Sequence, residues 1–384
     1  MKRRISKTLL PANSVSTKSE NLDEIYMRAA LVLARRGLGM VWPNPSVGCV
    51  IVNGERIVGR GWTQPGGRPH AETEALRQAG AAASGACVYV TLEPCNHFGQ
   101  TPPCTSALLD AGVSRVVSAM EDPDTRTAGG GHARLREGGI EVVTDVLGAE
   151  AASVNAGFLS RVRSGRPLVT LKTATTLDGK IAAANGASQW ITGPEARTRG
   201  HLLRATHDAI MIGIGTALAD APSLTCRIAG MEDRSPVRIV MDSKLRLPLD
   251  STLVKTAREI PTWVVTSKTA SDLGAYVEQG VEIIQVDADP KGSLNLKVAL
   301  EVLGDKGLTR LLVEGGGALA ATLMRDDLVD RLVWFRSAGV MGADGIGAIA
   351  GYGVTHPDEA ATFERVEATP VGVDVMEVLA RHKS

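Results

Sequence analysis

Apolar and polar positions along this chain follow two rhythms, and the switches between them lay out its elements. Over residues 21–36 the apolar positions Ile25, Ala29, Leu31 and Val32 recur at helical spacing. Asn21 and Glu24 form a capping-box pattern at its start, and Gly37 ends it. Residues 47–52 and 56–59 read as strands around Asn53-Gly54, a hairpin turn pair. Residues 71–78 then read as helix, 87–92 as an apolar strand, 104–111 as helix and 114–119 as strand. A glycine-rich turn at 129–131, a short helix, a strand at 140–143 and a helix at 148–161 complete this half. A hairpin followed by alternating strand and helix predicts an α/β/α sandwich on a mixed sheet.

Residues 161–167 (RVRSGRP) are polar and carry Gly165 and Pro167, which places a domain boundary here. The division is a disordered tail over 1–20, a first domain over 21–163 and a second over 164–384. Alternation resumes at once. Strands are expected over 168–174, 208–213, 237–241, 262–266, 281–286 and 311–313, with late strands over 331–335 and within 363–380. Helices are expected over 194–206, capped by Thr192, and near 271–279, 295–304 and 317–325. Both halves are α/β, and no repeat relates them.

Composition narrows the function. At 384 residues and 44% hydrophobic, the chain can fill two ordinary cores. Lys and Arg number 42 against 42 Asp and Glu, and aromatic residues make up 3%. A nucleic-acid binder needs a basic groove and stacking rings, so a small-molecule substrate is expected and no nucleic acid. Five cysteines without framework spacing argue against a secreted disulfide fold. No apolar run has the length of a membrane span, and the basic, Ser-rich start lacks the apolar segment of a secretory signal. A cytoplasmic enzyme is expected.

The sharpest chemistry lies in PHAETEAL and TLEPCNHFGQTPPC. His70, Cys95 and Cys104 make an N/S set suited to Zn2+ with a fourth position open. Glu72, two residues after His70, suits the proton relay of a hydrolytic deaminase, taking a proton from water and passing it to departing ammonia. Thr101 and Pro102-Pro103 would open the helix that carries Cys104, an end that favours thiolate. Eight residues separate the cysteines, where the generic deaminase pattern has two. On these residues alone a closed structural zinc site, or three unrelated buried residues, stays level with the catalytic reading. His97, in the gap, reads as a surface or substrate-side residue.

PNPSVGCVIV, GRPHAETEAL, YVTLEPCNHFGQTPPC and LLDAGVSRVV, in this order, resemble the N-terminal half of the bifunctional riboflavin-biosynthesis deaminase–reductases, in which the longer cysteine gap is the normal form. LKTATTLDGKIAAANGASQWITG, LRATHDAIMIGIGTALADAPSLTCR and LLVEGGGALAATLM resemble the reductase half of the same family. The resemblance runs from about residue 22 to about 378. It implies a cytidine-deaminase-like first domain and a dihydrofolate-reductase-like second domain that uses NADPH, although no Gly-x-Gly-x-x-Gly fingerprint is present.

Carried over position by position, the resemblance implies a substrate-side Asn44 in the first half. In the second it implies substrate contacts at Ser188, Arg204, Leu224, Arg227 and Glu314, and NADPH contacts at Ala174, Trp190, Thr216, Asp220 and Ser243. The turn through Gly316, Gly317, Ala318, Leu319, Ala320, Ala321 and Thr322 falls at the pyrophosphate. Two arginine forks suit a phosphorylated substrate. Lys172 falls where it would orient the sugar. Without the family, Trp190 reads as core packing, Arg204 as a solvated charge, and Lys172 as a buried lysine in need of a partner.

The implied reactions are loss of the 2-amino group from a diamino-ribosylamino-pyrimidinone 5′-phosphate, then hydride transfer from NADPH to ribose C1′. A small homo-oligomer, dimer or tetramer, goes with such enzymes. Three departures from the family pattern fall at Thr63 in GWTQPGG, at 123–127, and at Ala221 in Asp220-Ala221-Pro222. Two other readings remain open: a zinc deaminase of another base or nucleoside with a non-catalytic second domain, and a non-catalytic protein with a structural zinc.

Overall fold

The computed structural model describes residues 22–98, 102–124, 128–289 and 292–381. The tail over 1–20, the caps expected at Asn21 and Thr101, and 125–127 of one departure lie outside the described residues.

The first half builds on α1 (Leu22–Ala34), β1 (Gly48–Asn53), β2 (Arg56–Trp62), α2 (Ala71–Ala79), β3 (Cys87–Val90), α3 (Cys104–Asp110), β4 (Arg115–Ser118), α4 (Gly130–Glu137), β5 (Glu141–Val143), α5 (Gly148–Val154) and α6 (Ala156–Ser164). Its five-stranded sheet runs β2-β1-β3-β4-β5. The β1–β2 and β1–β3 pairs are antiparallel, and β3–β4 and β4–β5 parallel. Strand residues alternate between faces. Cys49 and Ile51 therefore pack under α2 with Ala71, Ala75 and Leu108, while Val50 and Val52 pack under α1 with Met27, Ala30 and Leu31. Both faces are covered, as the α/β/α reading requires.

The second half contains β6 (Leu168–Thr175), β7 (Lys180–Ala182), α7 (Pro194–Ala205), β8 (Ala209–Gly213), α8 (Ile214–Asp220), β9 (Val237–Met241), α9 (Thr252–Lys255), β10 (Thr262–Ser267), α10 (Gly274–Glu278), β11 (Glu282–Val286), α11 (Leu296–Asp305), β12 (Arg310–Glu314), α12 (Gly317–Arg325), β13 (Arg331–Arg336), β14 (Ile346–Gly347), β15 (Phe363–Val371) and β16 (Asp374–Arg381). Nine strands form one sheet, β11-β10-β9-β8-β12-β6-β13-β16-β15. Neighbours from β11 through to β13 are parallel, and β16 and β15 close the edge antiparallel. β12 inserts between β8 and β6, so Glu314 lies in register with Lys172.

The pattern over 148–161 does not make one helix. It divides at buried Asn155, whose side chain accepts from Ser46 N at 2.8 Å and donates to Ser46 O at 3.1 Å. An interior tie to β1's approach loop thus overrides helix continuation. Thr192 is not the cap of α7. Gly193 is, and the Thr192 carbonyl accepts from Arg197 Nη1 at 2.8 Å. The small β7–β14 sheet and the short helices α8 and α9 carry too little periodicity to be read from sequence.

The halves meet through specific wedges. Trp42 packs against the core of the second sheet, and Gly307 sits beside Trp42 and Pro43. Next to this seam His207 is fully enclosed, with Nδ1 donating to Leu203 O at 2.7 Å and Nε2 accepting from the Thr170 hydroxyl at 3.0 Å. Burial, with help from the charge of Arg310, depresses its pKa to about 3. A histidine depressed in this way binds more protons unfolded than folded. Its contribution is therefore fully present above about 6.5 and is lost as pH falls toward about 3. Urea unfolding of the wild type against His207→Gln between those limits should show the wild type losing more stability on acidification. Parallel pH profiles would show that His207 is not the responsible group.

Candidate active sites

β3 and α2 carry the first site. His70 is the residue before α2, in extended conformation, and α2 continues through Ala71 and Glu72. β3 ends at Val90, and Thr91-Leu92-Glu93-Pro94 delivers Cys95 beyond the sheet. Cys104 is the first residue of α3, preceded by Pro103 in extended conformation. His70 Nδ1 lies 3.3 Å from Cys104 Sγ and 3.5 Å from Cys95 Sγ, and all three ligand atoms fall within 4.8 Å of one another. Ideal tetrahedral zinc bonds to His and Cys imply N···S edges of about 3.6 Å, so the donor set fits the ion.

Electrostatics agree with that fit. Cys104 hydrogen-bonds to Cys95 and, with His70, holds the Cys95 thiol well below its usual range, against the effect of burial. Donating that bond, and being buried, pushes Cys104 up. A metal ion held by both sulfurs would draw off their protons, because it binds the thiolate form. Glu72 is 4% exposed, and burial, then the Cys95 charge, raise its pKa to about 6. A carboxyl that ionises near neutrality can both accept and return a proton.

His70, Glu72 and Cys95 open onto a cavity of about 950 Å3 that Asn44, Thr63, His97, Asp122 and Asp124 also line. The Thr63 hydroxyl faces the sheet, where it accepts from Val47 N at 2.9 Å. Sequence reasoning missed Glu93. Its buried carboxylate accepts backbone N–H bonds from Asp122 (3.0 Å), Gly129 (3.0 Å), Gly131 (2.8 Å) and His132 (3.0 Å). Burial opposes ionisation there, but these bonds outweigh it and hold the pKa low. Glu93 thus fixes the loop that brings Asp122 and Asp124 to the cavity. An acid beside a ligand cysteine, at the end of an apolar strand, was the available signal.

The second cluster lies at the carboxyl ends of parallel strands, where open α/β sheets leave crevices. Glu314 closes β12 and receives Arg204 through Nε and Nη2, each at 2.9 Å, with Lys172 Nζ at 3.8 Å. Burial opposes its ionisation, but Lys172 and Arg204 overcome this and bring the pKa to about 2. Arg204 also donates to Thr225 O at 3.0 Å, so its fork is not open to a phosphate in this structure. A buried carboxylate is its partner instead. Arg227 is exposed and donates through Nε to His201 Nε2 at 3.4 Å, while His201 Nδ1 donates to Thr225 O at 3.2 Å.

After β12 the chain turns through Gly315 (φ 86°) and Gly316 (φ 59°), conformations that favour glycine. A Cβ on either would press on Thr216 of α8, at 2.8 Å and 3.0 Å. The turn leaves the first N–H groups of α12, those of Gly317, Ala318 and Leu319, at a helix N-terminus, a fit for a pyrophosphate. Ala320 and Ala321 face the core, and the Thr322 hydroxyl donates to Ala318 O at 3.1 Å. Ser243 follows β9 at the same sheet end, and Asp220 is exposed at the end of α8. Leu224 is buried in the apolar cluster beneath α8, and Ala174 packs with Phe335 and Val371. Ser188 is exposed. Trp190 is 67% exposed with Arg197 stacked 4.5 Å from its ring centroid, so the core-packing reading fails for it. The solvated-charge reading fails likewise for Arg204, which is largely buried against Glu314, while Lys172 has in Glu314 the partner its burial calls for.

Two outcomes follow for the first site. Cys104→Ala should lower bound zinc from one ion per chain to none, measured by elemental analysis of dialysed protein. Glu93→Gln, which turns one acceptor into a donor facing N–H groups, should cost about 2 kcal/mol in urea unfolding and leave the metal bound.

Two family models match the chain: the cytidine and deoxycytidylate deaminase zinc-binding region over residues 20–120, and the RibD C-terminal domain over 167–376. The riboflavin biosynthesis protein RibD of Escherichia coli (strain K12) is 42% identical over 364 residues, 92% of this chain and 98% of that protein. The protein of that name from Aquifex aeolicus is 39% identical, over 94% of this chain and 99% of its own length. Among solved structures, Acinetobacter baumannii RibD (form 1) superposes with a TM-score of 0.85 at 33% identity, covering 94% of this chain and 99% of its own. A Thermotoga maritima diaminohydroxyphosphoribosylaminopyrimidine deaminase/5-amino-6-(5-phosphoribosylamino)uracil reductase does so with a TM-score of 0.83, also at 33% identity, covering 94% and 99%. Matched along nearly its whole length and in both halves, the chain belongs to the family of bifunctional riboflavin-biosynthesis proteins that join a zinc deaminase to a reductase.

Proposed function

We propose that the chain carries out two consecutive reactions, with 21–163 as the zinc deaminase domain and 164–384 as the NADPH-dependent reductase domain. The substrate of the first is the diamino-ribosylamino-pyrimidinone 5′-phosphate, deaminated at its 2-amino group. The second reduces the ribosyl side chain of the product to ribityl. The observation that carries the reading is the convergence of His70, Cys95 and Cys104 beside the buried, readily protonated Glu72, in a chain that also holds the Lys172–Glu314–Arg204 cluster. A purely structural zinc site has no use for Glu72.

His70, Cys95 and Cys104 hold the metal. When bound there, zinc supplies Lewis-acid activation of water at neutral pH. The Glu72 carboxylate takes the proton of the attacking water and delivers it to the leaving amino nitrogen. Asn44 and the loop held by Glu93 orient the ring. In the second site the Gly316–Leu319 turn, with Thr216, holds the pyrophosphate of the coenzyme. When bound, NADPH supplies hydride. Ionised Glu314 fixes Lys172 and Arg204, and Lys172 orients the sugar at C1′. Arg227 and Ser188 complete the substrate contacts, and Trp190, Asp220 and Ser243 the coenzyme contacts. We place this small-molecule metabolic role in the cytoplasm, as for a soluble metabolic enzyme. Among the described residues no helix is long and apolar enough to cross a membrane.

Point variants separate the two activities. Glu72→Gln should keep one zinc per chain and slow ammonia release by about 10²–10⁴-fold. Its NADPH oxidation on the deaminated compound should match the wild type. Lys172→Ala should do the reverse. Ammonia release by Glu72→Gln at the wild-type rate would contradict the assignment.

A further inference from the structure

One wall of the large cavity holds no metal and moves no proton. It is made by Phe158, Arg161, Val162 and Arg163 of α6, with Gly165 just beyond, and by Gly304 and Asp305 at the end of α11. α6 is fixed at both ends across this opening. At its start is the Asn155 tie to Ser46. At its end Arg161 Nε donates to Gly304 O at 2.7 Å. Gly304 lies against the backbone of Gly165 so closely that any side chain there would collide with the Gly165 carbonyl. The wall therefore combines both halves of the chain and presents its side chains from a rigid element.

Charge around the cavity is unevenly committed. Glu72 sits at the metal end. Glu93 is saturated by four backbone N–H groups. Asp122 accepts from Asp124 N at 3.0 Å within their own loop. Arg68 lies two residues from the ligand His70, and Asp305 is the acid on the outer wall. Arg161 is anchored through Nε alone. Arg163, an exposed residue at this wall, makes no hydrogen bond or ion pair among the described residues. An unpaired guanidinium on a cavity wall, in a space larger than a pyrimidine needs, is suited to a phosphate dianion through paired N–H bonds.

We propose that Arg163 binds the 5′-phosphate of the compound deaminated at the zinc site, and so makes that site select phosphorylated over dephosphorylated pyrimidine ribosides. The proposal rests on the functional reading above. It also explains why the helix joining the halves is pinned at both ends: the phosphate contact lies outside the five-stranded unit that holds the metal.

The test uses full-length, zinc-loaded wild type, Arg163→Ala and Arg163→Lys. Each is given the phosphorylated compound and its dephosphorylated counterpart, with ammonia release as readout and inorganic phosphate as competing probe. Arg163→Ala should raise KM for the phosphorylated compound about tenfold or more, the scale of one lost charge-assisted hydrogen bond. Its kcat should stay within about twofold and KM for the dephosphorylated compound should not move, which confines the loss to phosphate binding. Inhibition by phosphate should weaken in parallel, and Arg163→Lys should recover part of the loss. NADPH oxidation on the deaminated compound should be unchanged in every variant. Wild-type KM values in Arg163→Ala would overturn the proposal and leave Arg163 a solvated charge. An equal loss on both compounds would overturn it in favour of a structural role for α6. Failure of the wild type to deaminate the phosphorylated compound would instead overturn the functional reading itself.

Discussion

Parallel pairing brings the carboxyl ends of neighbouring strands to one edge, and both sites depend on that constraint. At such an edge the chain leaves the ladder and its turns are free to carry functional groups. β3 ends there with the segment that delivers Cys95, and β4 beside it leads to the loop of Asp122 and Asp124. In the larger sheet β12 ends in Glu314, in register with Lys172 of β6, and β8 runs into Thr216. Insertion of β12 between β8 and β6 is what brings the glycine turn, the carboxylate and the lysine together.

Three carboxylates show how environment divides labour. Glu93 is ionised because backbone N–H groups surround it, and it fixes a loop. Glu314 is ionised because two cations outweigh its burial, and it orients those cations. Glu72 is buried beside a thiolate and ionises near neutrality, which suits a group that must take up and release a proton. Residue type is the same in all three, and the number and charge of neighbours set the role.

Much of this was legible in the sequence. The unbroken apolar run of 47–52 and the helical spacing in 21–36 point to a sheet covered on both faces, because a strand apolar on both sides must meet apolar residues on each. The donor set of the metal site was legible because His, Cys and Cys are rare in combination and bear on one ion. The tertiary overrides were not legible. Asn155 breaks a helix to bond Ser46, more than 100 positions away in the chain. Arg204 turns from solvent to Glu314 through a contact that only sheet order creates. Trp190 is exposed although its type favours burial. The position of Glu93 near Cys95 marked it, but its role was not legible, because its partners are backbone groups that leave no mark in a side-chain pattern.

Joining two chemistries in one chain is the central claim, and the most direct measurement is product identification by mass spectrometry. Zinc-loaded protein is given the diamino-ribosylamino-pyrimidinone phosphate with and without NADPH. The account predicts the deaminated ribosyl compound without NADPH and the deaminated ribityl compound with it. Unchanged starting material in both reactions, or a deaminated product that NADPH never converts to the ribityl form, would contradict it.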